Sequence, residues 1–308
     1  MILISEDVWG APFEELSKRR SIHQDPDLWS NPQKLMDSLK EVEALVVRNR
    51  TQVTAEVINS APKLKVIARA GVGLDNIDVK AADAAGVIVV AGLGANAVAV
   101  AELTLGLALA LSRSIAKHDQ DTKSGKWLRT PGVELSGKTW GLLGCGATGR
   151  ATAKLLSGFG CKILGFDPFF KGNEQIQMAS WDEVISQSDY LSVHMPATSE
   201  TIGSINNSVF SAMKKSAYLI NVGRGDLVNE TDLIAALKAE EIAGTALDVR
   251  VSEPPVVGEL EAANNLILTP HIAGITKESQ LAINKILVEN IDLVLSGNKA
   301  THAVGANS

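Results

Sequence analysis

The sequence predicts an α/β protein of two domains, each built on a doubly wound parallel sheet. Short apolar runs rich in β-branched residues alternate with helical patterns along all 308 residues, which is the rhythm of strand–helix–strand units. The pattern restarts near Lys138, where a second series of strands begins. The chain is also longer than one hydrophobic core usually supports, because cores tend to split beyond roughly 250 residues.

Each predicted element rests on its local pattern. In the first domain, apolar runs predict strands at residues 2–5, 44–48, 65–70 and 87–91, and residues 32–43 suit a helix. In the second domain, similar runs predict strands at residues 139–143, 162–167, 190–194, 218–222, 244–249 and 266–269, with helices at 150–159 and 231–241. A final helix over residues 277–295 is expected to return the chain to the first domain. We therefore place the domains at residues 1–97 with 283–308, and at residues 98–282.

Composition argues against several classes of partner. The net charge of −6 disfavours nucleic acid, whose binding requires clustered Lys and Arg. The apolar segment 98–111 is interrupted by Glu102 and Thr104 and is shorter than the roughly 20 residues of a membrane span, so we expect no membrane partner and a buried helix. Cys145 and Cys161 lack metal-ligand spacing and the N-terminus lacks a secretory pattern, so we expect no metal and a cytoplasmic location.

The strongest single motif is a glycine-rich loop. Residues 144–149 match G-x-G-x-x-G between the strand at 139–143 and a helix, where backbone N–H groups can approach a pyrophosphate. The next strand ends at Asp167, whose carboxylate would accept hydrogen bonds from ribose hydroxyls and repel a 2′-phosphate. No arginine follows in residues 168–170, which favours NAD over NADP; otherwise Asp167 is a turn residue before Pro168.

Three later segments carry reactive side chains where predicted strands end. They contain Arg224, Glu253 and His271, and ligands of open α/β sheets bind at these ends. A guanidinium can grip a carboxylate, a histidine can accept a hydroxyl proton, and a neighbouring carboxylate favours the protonated imidazole. Each residue alone would be an ordinary structural or surface residue, whereas their ordered occurrence behind a glycine loop favours an active site.

Together, these segments resemble the D-isomer-specific 2-hydroxyacid dehydrogenase family over almost the whole chain, including residues 102–104 and 193–198. The resemblance implies a Rossmann NAD-binding domain inserted in a flavodoxin-like substrate domain, and hydride transfer between NAD and a small 2-hydroxy or 2-keto acid. It implies that Arg224 holds the substrate carboxylate and carbonyl, that His271 is the general acid/base, and that Glu253 orients the imidazole.

The resemblance also assigns cofactor contacts. Asp248 corresponds to the family residue that meets the nicotinamide carboxamide, whereas His194 lies in a predicted core strand and can equally be structural. The cofactor-binding residues that we predict are Gly144, Gly146, Ala147, Thr148, Gly149, Asp167, His194, Pro196, Val222, Asp248, His271 and Gly274.

In the first domain, residues 69–78 look like the family loop whose backbone N–H groups cradle the substrate carboxylate; the alternative is a strand-to-helix turn. The active site is then expected between the domains. Within the family, residues 46–58, 69–78, 94–97 and 125–127 most resemble D-3-phosphoglycerate dehydrogenases, and Arg48, Arg69 and Arg129 can supply positive charge for a phosphate or sulfonate. The predicted substrate-binding residues are Arg48, Arg69, Gly71, Val72, Gly73, Asn96, Arg224 and His271.

Three alternatives stay open. The substrate can be hydroxypyruvate or glyoxylate, or a 2-hydroxy acid with another anionic tail such as sulfolactate. The protein can also be a non-enzymatic NAD-sensing binding protein, since transcriptional corepressors share this fold and retain the same polar residues. The resemblance further implies a homodimer, with residues 98–111 as the candidate interface, and a short form without a C-terminal regulatory domain.

Overall fold

The computed structural model describes residues 1–306 and contains the predicted alternation of strands and helices. The first 96 residues form, in chain order, β1 (Ile2–Ile4), α1 (Ala11–Ser17), β2 (Ile22–Gln24), α2 (Pro32–Ser38), β3 (Ala44–Val47), α3 (Ala55–Asn59), β4 (Val66–Arg69), α4 (Val79–Ala84) and β5 (Ile88–Ala91).

The middle of the chain forms the second set of elements. These are α5 (Ala97–Ser112), α6 (Ile115–Lys123), β6 (Thr139–Leu143), α7 (Ala147–Ser157), β7 (Lys162–Phe166), β8 (Gln177–Met178), α8 (Trp181–Gln187), β9 (Tyr190–Val193), α9 (Asn207–Ala212), β10 (Tyr218–Asn221), α10 (Glu230–Lys238), β11 (Gly244–Leu247) and β12 (Leu266–Leu268). The chain closes with α11 (Lys277–Leu295) and β13 (Ala303–Val304).

The contacts divide the chain into two compact units. The first unit comprises Met1–Asn96 together with the described residues from Ile275 onward, and the second unit comprises Ala97–Gly274. The junction expected between residues 282 and 283 would interrupt α11, which runs unbroken and packs as one helix on β4 and β5. Residues 307 and 308, which ended the predicted substrate-domain range, lie outside the described residues.

The second unit carries a seven-stranded parallel sheet in the order β12-β11-β10-β9-β6-β7-β8. Counted from β6, this is the 3-2-1-4-5-6 order of a Rossmann sheet with a seventh strand at one edge. Both faces of the sheet are covered by buried apolar residues, with Leu191 and Val193 on one side and Trp140 and Ile220 on the other. The order of the strands reverses between β6 and β9, where such sheets bind their ligands.

The first unit carries a six-stranded sheet in the order β13-β5-β4-β3-β1-β2. The five strands β1 to β5 follow the flavodoxin-like order 2-1-3-4-5, and their reversal lies between β1 and β3. Strands β1 to β5 are parallel, as predicted, and the additional strand β13 pairs antiparallel with β5 at one edge. Buried Asn290 of α11 directs this return, since its side-chain oxygen accepts N–H bonds from Thr301 and His302.

All ten predicted strands are present, and eight of them end one or two residues earlier than predicted. Several residues just beyond these ends, namely Ser5, Ala70, His194 and Thr269, still donate one backbone N–H bond to the neighbouring strand before the chain turns away. His194, for example, follows the last residue of β9 and donates to the carbonyl of Leu143 at 2.7 Å. The short strands β2, β8 and β13 were not predicted.

Among the described residues, no single helix is long and apolar enough to cross a membrane. Helices α5 and α6 reach that length and apolar character only when taken together, and they are bent by 59° at their junction.

Candidate active site

Arg224, Glu253 and His271 all follow the carboxyl ends of adjacent strands in the second unit. β10 ends three residues before Arg224, and β12 ends three residues before His271. Glu253 lies in the loop after β11, the strand between them. The parallel sheet therefore delivers the three predicted catalytic residues to one edge.

Of these three, the structure brings His271 and Glu253 into direct contact. The Nδ1 atom of His271 lies 2.7 Å from Oε2 of Glu253, and the two side chains are 48% and 38% exposed. A carboxylate at Nδ1 fixes the ring orientation and holds the hydrogen on that nitrogen, which leaves Nε2 available for a substrate. The pair has the geometry of an oriented general acid/base.

His271 has a positive φ of 54°, a conformation that non-glycine residues rarely adopt. Its backbone N–H donates to the carbonyl of Asp248 at 2.7 Å. The carboxylate of Asp248, only 1% exposed, accepts from the backbone N–H groups of Ile272 and Ala273 and from the hydroxyl of Thr269. Asp248, assigned above to the nicotinamide, thus also clamps the segment that carries His271.

Arg224 sits in a turn that Asn221 organises from the end of β10. The fully buried Asn221 amide donates to the carbonyl of Arg224 at 2.8 Å and accepts from the N–H of Gly223 at 3.1 Å. The next residue, Gly225, has no room for a side chain, since a Cβ there would lie 2.0 Å from the carbonyl carbon and oxygen of Arg250. Asn221 was not among the site residues predicted from the sequence.

The glycine loop has the shape that a dinucleotide requires. Gly144 has a φ of +94°, and a Cβ there would lie 2.9 Å from the backbone of His194. A Cβ on Gly149 would lie 2.2 Å from the carbonyl oxygen of Gly144, so the helix can pack close to the strand only with glycine there. By contrast, Gly146 faces open space and no side chain caps α7, which leaves N–H groups of its first turn, from Ala147 and Thr148, for a pyrophosphate.

Asp167 follows β7 at the position expected for ribose recognition. Its carboxylate accepts backbone N–H bonds from Cys145, Phe169 and Phe170 at 2.8, 2.8 and 3.0 Å. Burial raises the pKa of this carboxyl, but the three N–H donors outweigh burial and hold the pKa below its usual range. The group is therefore a carboxylate, as binding of ribose hydroxyls requires.

A cation that was not predicted from the sequence lies near Asp167. Arg150 of α7 donates from Nη1 to the carbonyl of Cys145 at 2.7 Å, and its guanidinium lies over the ring of Phe170, 5.5 Å from the centroid. Its charge contributes to the lowered pKa of Asp167. An arginine thus lies near Asp167 although residues 168–170, which follow it directly, contain none.

His194 adjoins the glycine loop and lies in a chain of buried hydrogen bonds. The indole N–H of Trp140 donates to the hydroxyl of Ser192 at 2.8 Å, and that oxygen lies 3.0 Å from Nε2 of His194. Burial lowers the pKa of His194 to about 4, so the ring is neutral at physiological pH. Its Nδ1 atom is buried without a hydrogen-bond partner among the described residues.

The other predicted cofactor residues are Pro196, Val222 and Gly274. Pro196 is exposed, Val222 is 8% exposed directly after β10, and Gly274 is half-buried at the end of the second unit. With the unpartnered Nδ1 of His194 and the open glycine loop, these positions fit an NAD-type dinucleotide at the carboxyl edge of the sheet.

In the first unit, a buried carboxylate accepts hydrogen bonds from the backbone of the loop that carries Arg48. Glu6, 3% exposed, accepts N–H bonds from residues 48, 49, 50 and 51 at 2.7, 3.3, 3.0 and 3.0 Å. The amide of Asn76 donates to the carbonyls of Arg48 and Thr51, which ties the same loop from the other side. Neither Glu6 nor Asn76 was singled out from the sequence.

Among the remaining predicted substrate residues, Arg69 is the last residue of β4, and the others follow β4 and β5. The guanidinium of Arg69 lies over Gly71, where a Cβ would come within 1.3 Å of Nη1. Val72 and Gly73 are half-buried in the following turn. Asn96 is half-buried, and its side-chain oxygen accepts no hydrogen bond from the residues that the structure describes.

The family model described as "D-isomer specific 2-hydroxyacid dehydrogenase, NAD binding domain" matches residues 105–273, more than half of the chain. The D-3-phosphoglycerate dehydrogenase of Archaeoglobus fulgidus is 40% identical over 90% of this chain and 54% of its own length. The chain spans about half the length of the curated relatives that it matches.

Solved structures agree in fold over the whole chain. A Thermus thermophilus protein matches with a TM-score of 0.91 and 31% identity, covering 98% of this chain and 99% of that one. The NADPH-dependent glyoxylate/hydroxypyruvate reductase of Sinorhizobium meliloti matches with a TM-score of 0.89 and 27% identity, covering 99% and 96%. The chain belongs to the D-isomer-specific 2-hydroxyacid dehydrogenase family.

Proposed function

We propose that this chain catalyses NAD-dependent hydride transfer between a D-2-hydroxy acid and its 2-keto acid, with 3-phosphoglycerate and 3-phosphohydroxypyruvate as the substrate pair. The observation that carries the proposal is the 2.7 Å contact between His271 and Glu253 at the sheet edge that also bears the glycine loop. The 40% identity to a D-3-phosphoglycerate dehydrogenase supports the choice of substrate.

His271 transfers the proton in this proposal. With Nδ1 bonded to Glu253, Nε2 removes the hydroxyl proton of the substrate, and the carboxylate stabilises the imidazolium that forms. Bound NAD supplies the hydride acceptor, or NADH the donor. In the reductive direction, the imidazolium returns the proton to the carbonyl oxygen.

Arg224 binds the substrate carboxylate and polarises the adjacent carbonyl. A guanidinium is suited to both tasks because its planar fork donates parallel hydrogen bonds and keeps its charge at all physiological pH values. The turn that Asn221 fixes gives Arg224 a rigid base.

We assign substrate recognition to the first unit and NAD binding to the second. Gly71, Val72 and Gly73 present backbone to the substrate carboxylate, and Arg48 and Arg69 supply charge for its phosphate. The buried side-chain oxygen of Asn96, which lacks a donor among the described residues, supports a ligand there.

We propose that NAD is preferred over NADP because Asp167 is ionised beside the ribose position. Arg150 opposes this preference, since a nearby guanidinium attracts a 2′-phosphate. The three N–H bonds that Asp167 accepts support the first effect as the larger one.

We also propose a homodimer that buries the outer face of α5. This helix is apolar on nearly all sides, yet Val98 is 62% exposed and Glu102 and Gly106 share its exposed side. A helix of this composition is normally buried on every side. Light scattering on the purified protein, with Val98→Asp as the disrupting variant, tests the assignment.

The function is tested by following NADH consumption with hydroxypyruvate, glyoxylate, pyruvate, 3-phosphohydroxypyruvate and 3-sulfopyruvate, with His271→Ala as the control. Clear preference for the phosphorylated acid, lost in the control, supports the proposal. Preference for hydroxypyruvate or glyoxylate assigns the chain to that group of reductases instead. NADH binding without turnover of any acid favours a non-enzymatic NAD-sensing role.

A further inference from the structure

The loop between β11 and β12 carries Glu253 and is held by one nearly buried cation. The side chain of Arg250 is 9% exposed, and its Nε and Nη2 atoms donate to the two carboxylate oxygens of Glu230 at 2.8 and 3.0 Å. Its Nη1 atom donates to Glu261 at 2.5 Å. Two carboxylates therefore share one guanidinium.

The two partners of Arg250 belong to different elements, a helix and the loop itself, so the ion pairs connect these elements. Glu230 is the first residue of α10, where a carboxylate is also favoured by the helix dipole. Glu261 belongs to the far end of the same loop and accepts the N–H of Gly258 at 2.7 Å. Arg250 thus links the two ends of the segment 250–261 and connects that segment to α10.

The same cluster reaches Glu253 through the backbone. The N–H of Arg250 donates to Oε1 of Glu253 at 3.1 Å, while Oε2 of that carboxylate contacts His271. The N–H of Val251 donates to Glu230 at 3.2 Å, so the position of this stretch of backbone depends on the ion pairs. The Arg250 carbonyl also packs against Gly225, next to Arg224.

The charges in the cluster stabilise one another. Hydrogen bonds from Arg250 hold the pKa of Glu230 below its usual range and lower that of Glu261 to about 2. The hydrogen bonds that Arg250 donates to the two carboxylates raise its own pKa despite its burial. All three groups are charged wherever the enzyme would work, and removing one leaves the others incompletely paired.

We propose that Arg250 is a positioning residue: through its ion pairs with Glu230 and Glu261, it sets the geometry of the Glu253–His271 pair. The inference deepens the proposed dehydrogenase function and rests on it for its effect on turnover. Its structural part, the ordering of the Nδ1–carboxylate hydrogen bond, does not depend on which acid is the substrate.

Two variants test the proposal in the full chain. Arg250→Met removes the charge but keeps an apolar stem, and Glu261→Gln removes one arm of the cluster with almost no change of shape. We expect kcat to fall about 10- to 100-fold in Arg250→Met and less in Glu261→Gln, because small misplacement of a catalytic group is costly. The KM and the Kd for NADH should stay within about twofold, since neither variant removes a group that binds substrate or cofactor.

The matched control is Glu259→Gln. Glu259 lies in the same loop and pairs with Lys238 of the same helix, α10, at 2.7 Å, whereas the Arg250 side chain pairs with Glu230 and Glu261. This pair is exposed, so its loss should leave kcat unchanged. Circular dichroism and thermal unfolding establish that each variant is folded; if Arg250→Met is not, Glu261→Gln decides the question.

A second readout needs no turnover. Proton NMR of the protein without cofactor follows the His271 Nδ1–H, whose hydrogen bond to a carboxylate shifts its resonance far downfield. Loss or broadening of that resonance in both variants, but not in Glu259→Gln, supports the proposal. A wild-type resonance and wild-type kcat in folded variants, or equal effects from Glu259→Gln, overturn it. Failure of the wild type to turn over any acid refutes the proposed function, while the resonance still tests the positioning.

Discussion

Two loops at the carboxyl ends of their sheets are each organised by one nearly buried charge, but in opposite ways. The loop after β3 in the first unit wraps its backbone N–H groups around the carboxylate of Glu6. The loop after β11 in the second unit is held by the guanidinium of Arg250 between two carboxylate side chains. Backbone satisfies the first charge, and other side chains satisfy the second.

This difference in anchoring determines which residues of each loop can be substituted. Backbone N–H groups are present whatever the side chains are, so residues 48–50 can change without disturbing the anchor on Glu6. The Arg250 cluster requires three particular residues, and it fixes the position of a fourth residue, Glu253. The first arrangement suits a loop that selects substrates, and the second suits one that performs chemistry.

The largest effect is expected at the reaction centre of the second unit. His271→Ala should lower kcat/KM by about 10²- to 10⁴-fold, which is the range for loss of general acid/base catalysis. Glu253→Gln should lower kcat/KM somewhat less. Steady-state kinetics measure the loss, and urea unfolding should show little change. Wild-type rates in a folded His271→Ala variant would remove the histidine from the mechanism.

Glu6→Gln should have its effect on folding. The neutral amide offers one acceptor oxygen and two unwanted hydrogens to four N–H groups, so we expect the free energy of unfolding to fall by about 2–3 kcal/mol. Urea unfolding measures it, with Glu15→Gln, an exposed glutamate paired with Lys18, as the matched substitution that should change nothing. Equal stability of the two variants would mean that the carboxylate does not anchor the loop.

Arg48→Met should alter selectivity alone. Removing this cation should raise KM for 3-phosphohydroxypyruvate about 10-fold, which corresponds to 1.4 kcal/mol, and leave KM for hydroxypyruvate unchanged. Arg50→Met is the control, because the Arg50 guanidinium is held over the ring of Trp29, 4.7 Å from its centroid. Unchanged relative kcat/KM values for Arg48→Met would contradict the phosphate assignment.

The smallest effect is a dependence of stability on pH. Burial raises the pKa of Glu6, but its backbone hydrogen bonds outweigh burial and hold the pKa below 4.5, its ordinary value. The carboxylate therefore stabilises the folded chain above about pH 4.5, and that stability is lost as the pH falls through the lower, folded pKa. The stability difference between wild type and Glu6→Gln should shrink in this window; a constant difference would contradict the assignment.

The sequence was sufficient to predict those strands and helices that are buried and therefore contain a recognisable run of apolar residues. The ten predicted strands and α11 are there, since an apolar run in a parallel sheet is buried on both faces. β2, β8 and β13 contain no run of three apolar residues, unlike the equally short β1 and β12, so their formation depends on the neighbouring strand rather than on a local pattern.

In the candidate site, sequence motifs identified the candidate functional side chains but not the residues that position their loops. The structure places Glu253, one of these side chains, 2.7 Å from His271, another of them. Glu6, Asn76 and Arg250 left no signal, because each contacts groups distant in sequence, such as Glu6 with residue 48 or Arg250 with Glu230. A charged residue that will be buried looks the same in the sequence as one that will be exposed.

The return of α11 to the first sheet has a consequence for the order of folding during synthesis. Ile283, Leu287 and Ile291 of α11 share one core with Ile2 and with strands β3 to β5, yet they leave the ribosome long after these strands. The second unit is continuous in the chain, so all of its strands emerge before α11 does. We therefore expect the later-synthesised unit to close its core first, while the earlier one waits with one face of its sheet uncovered.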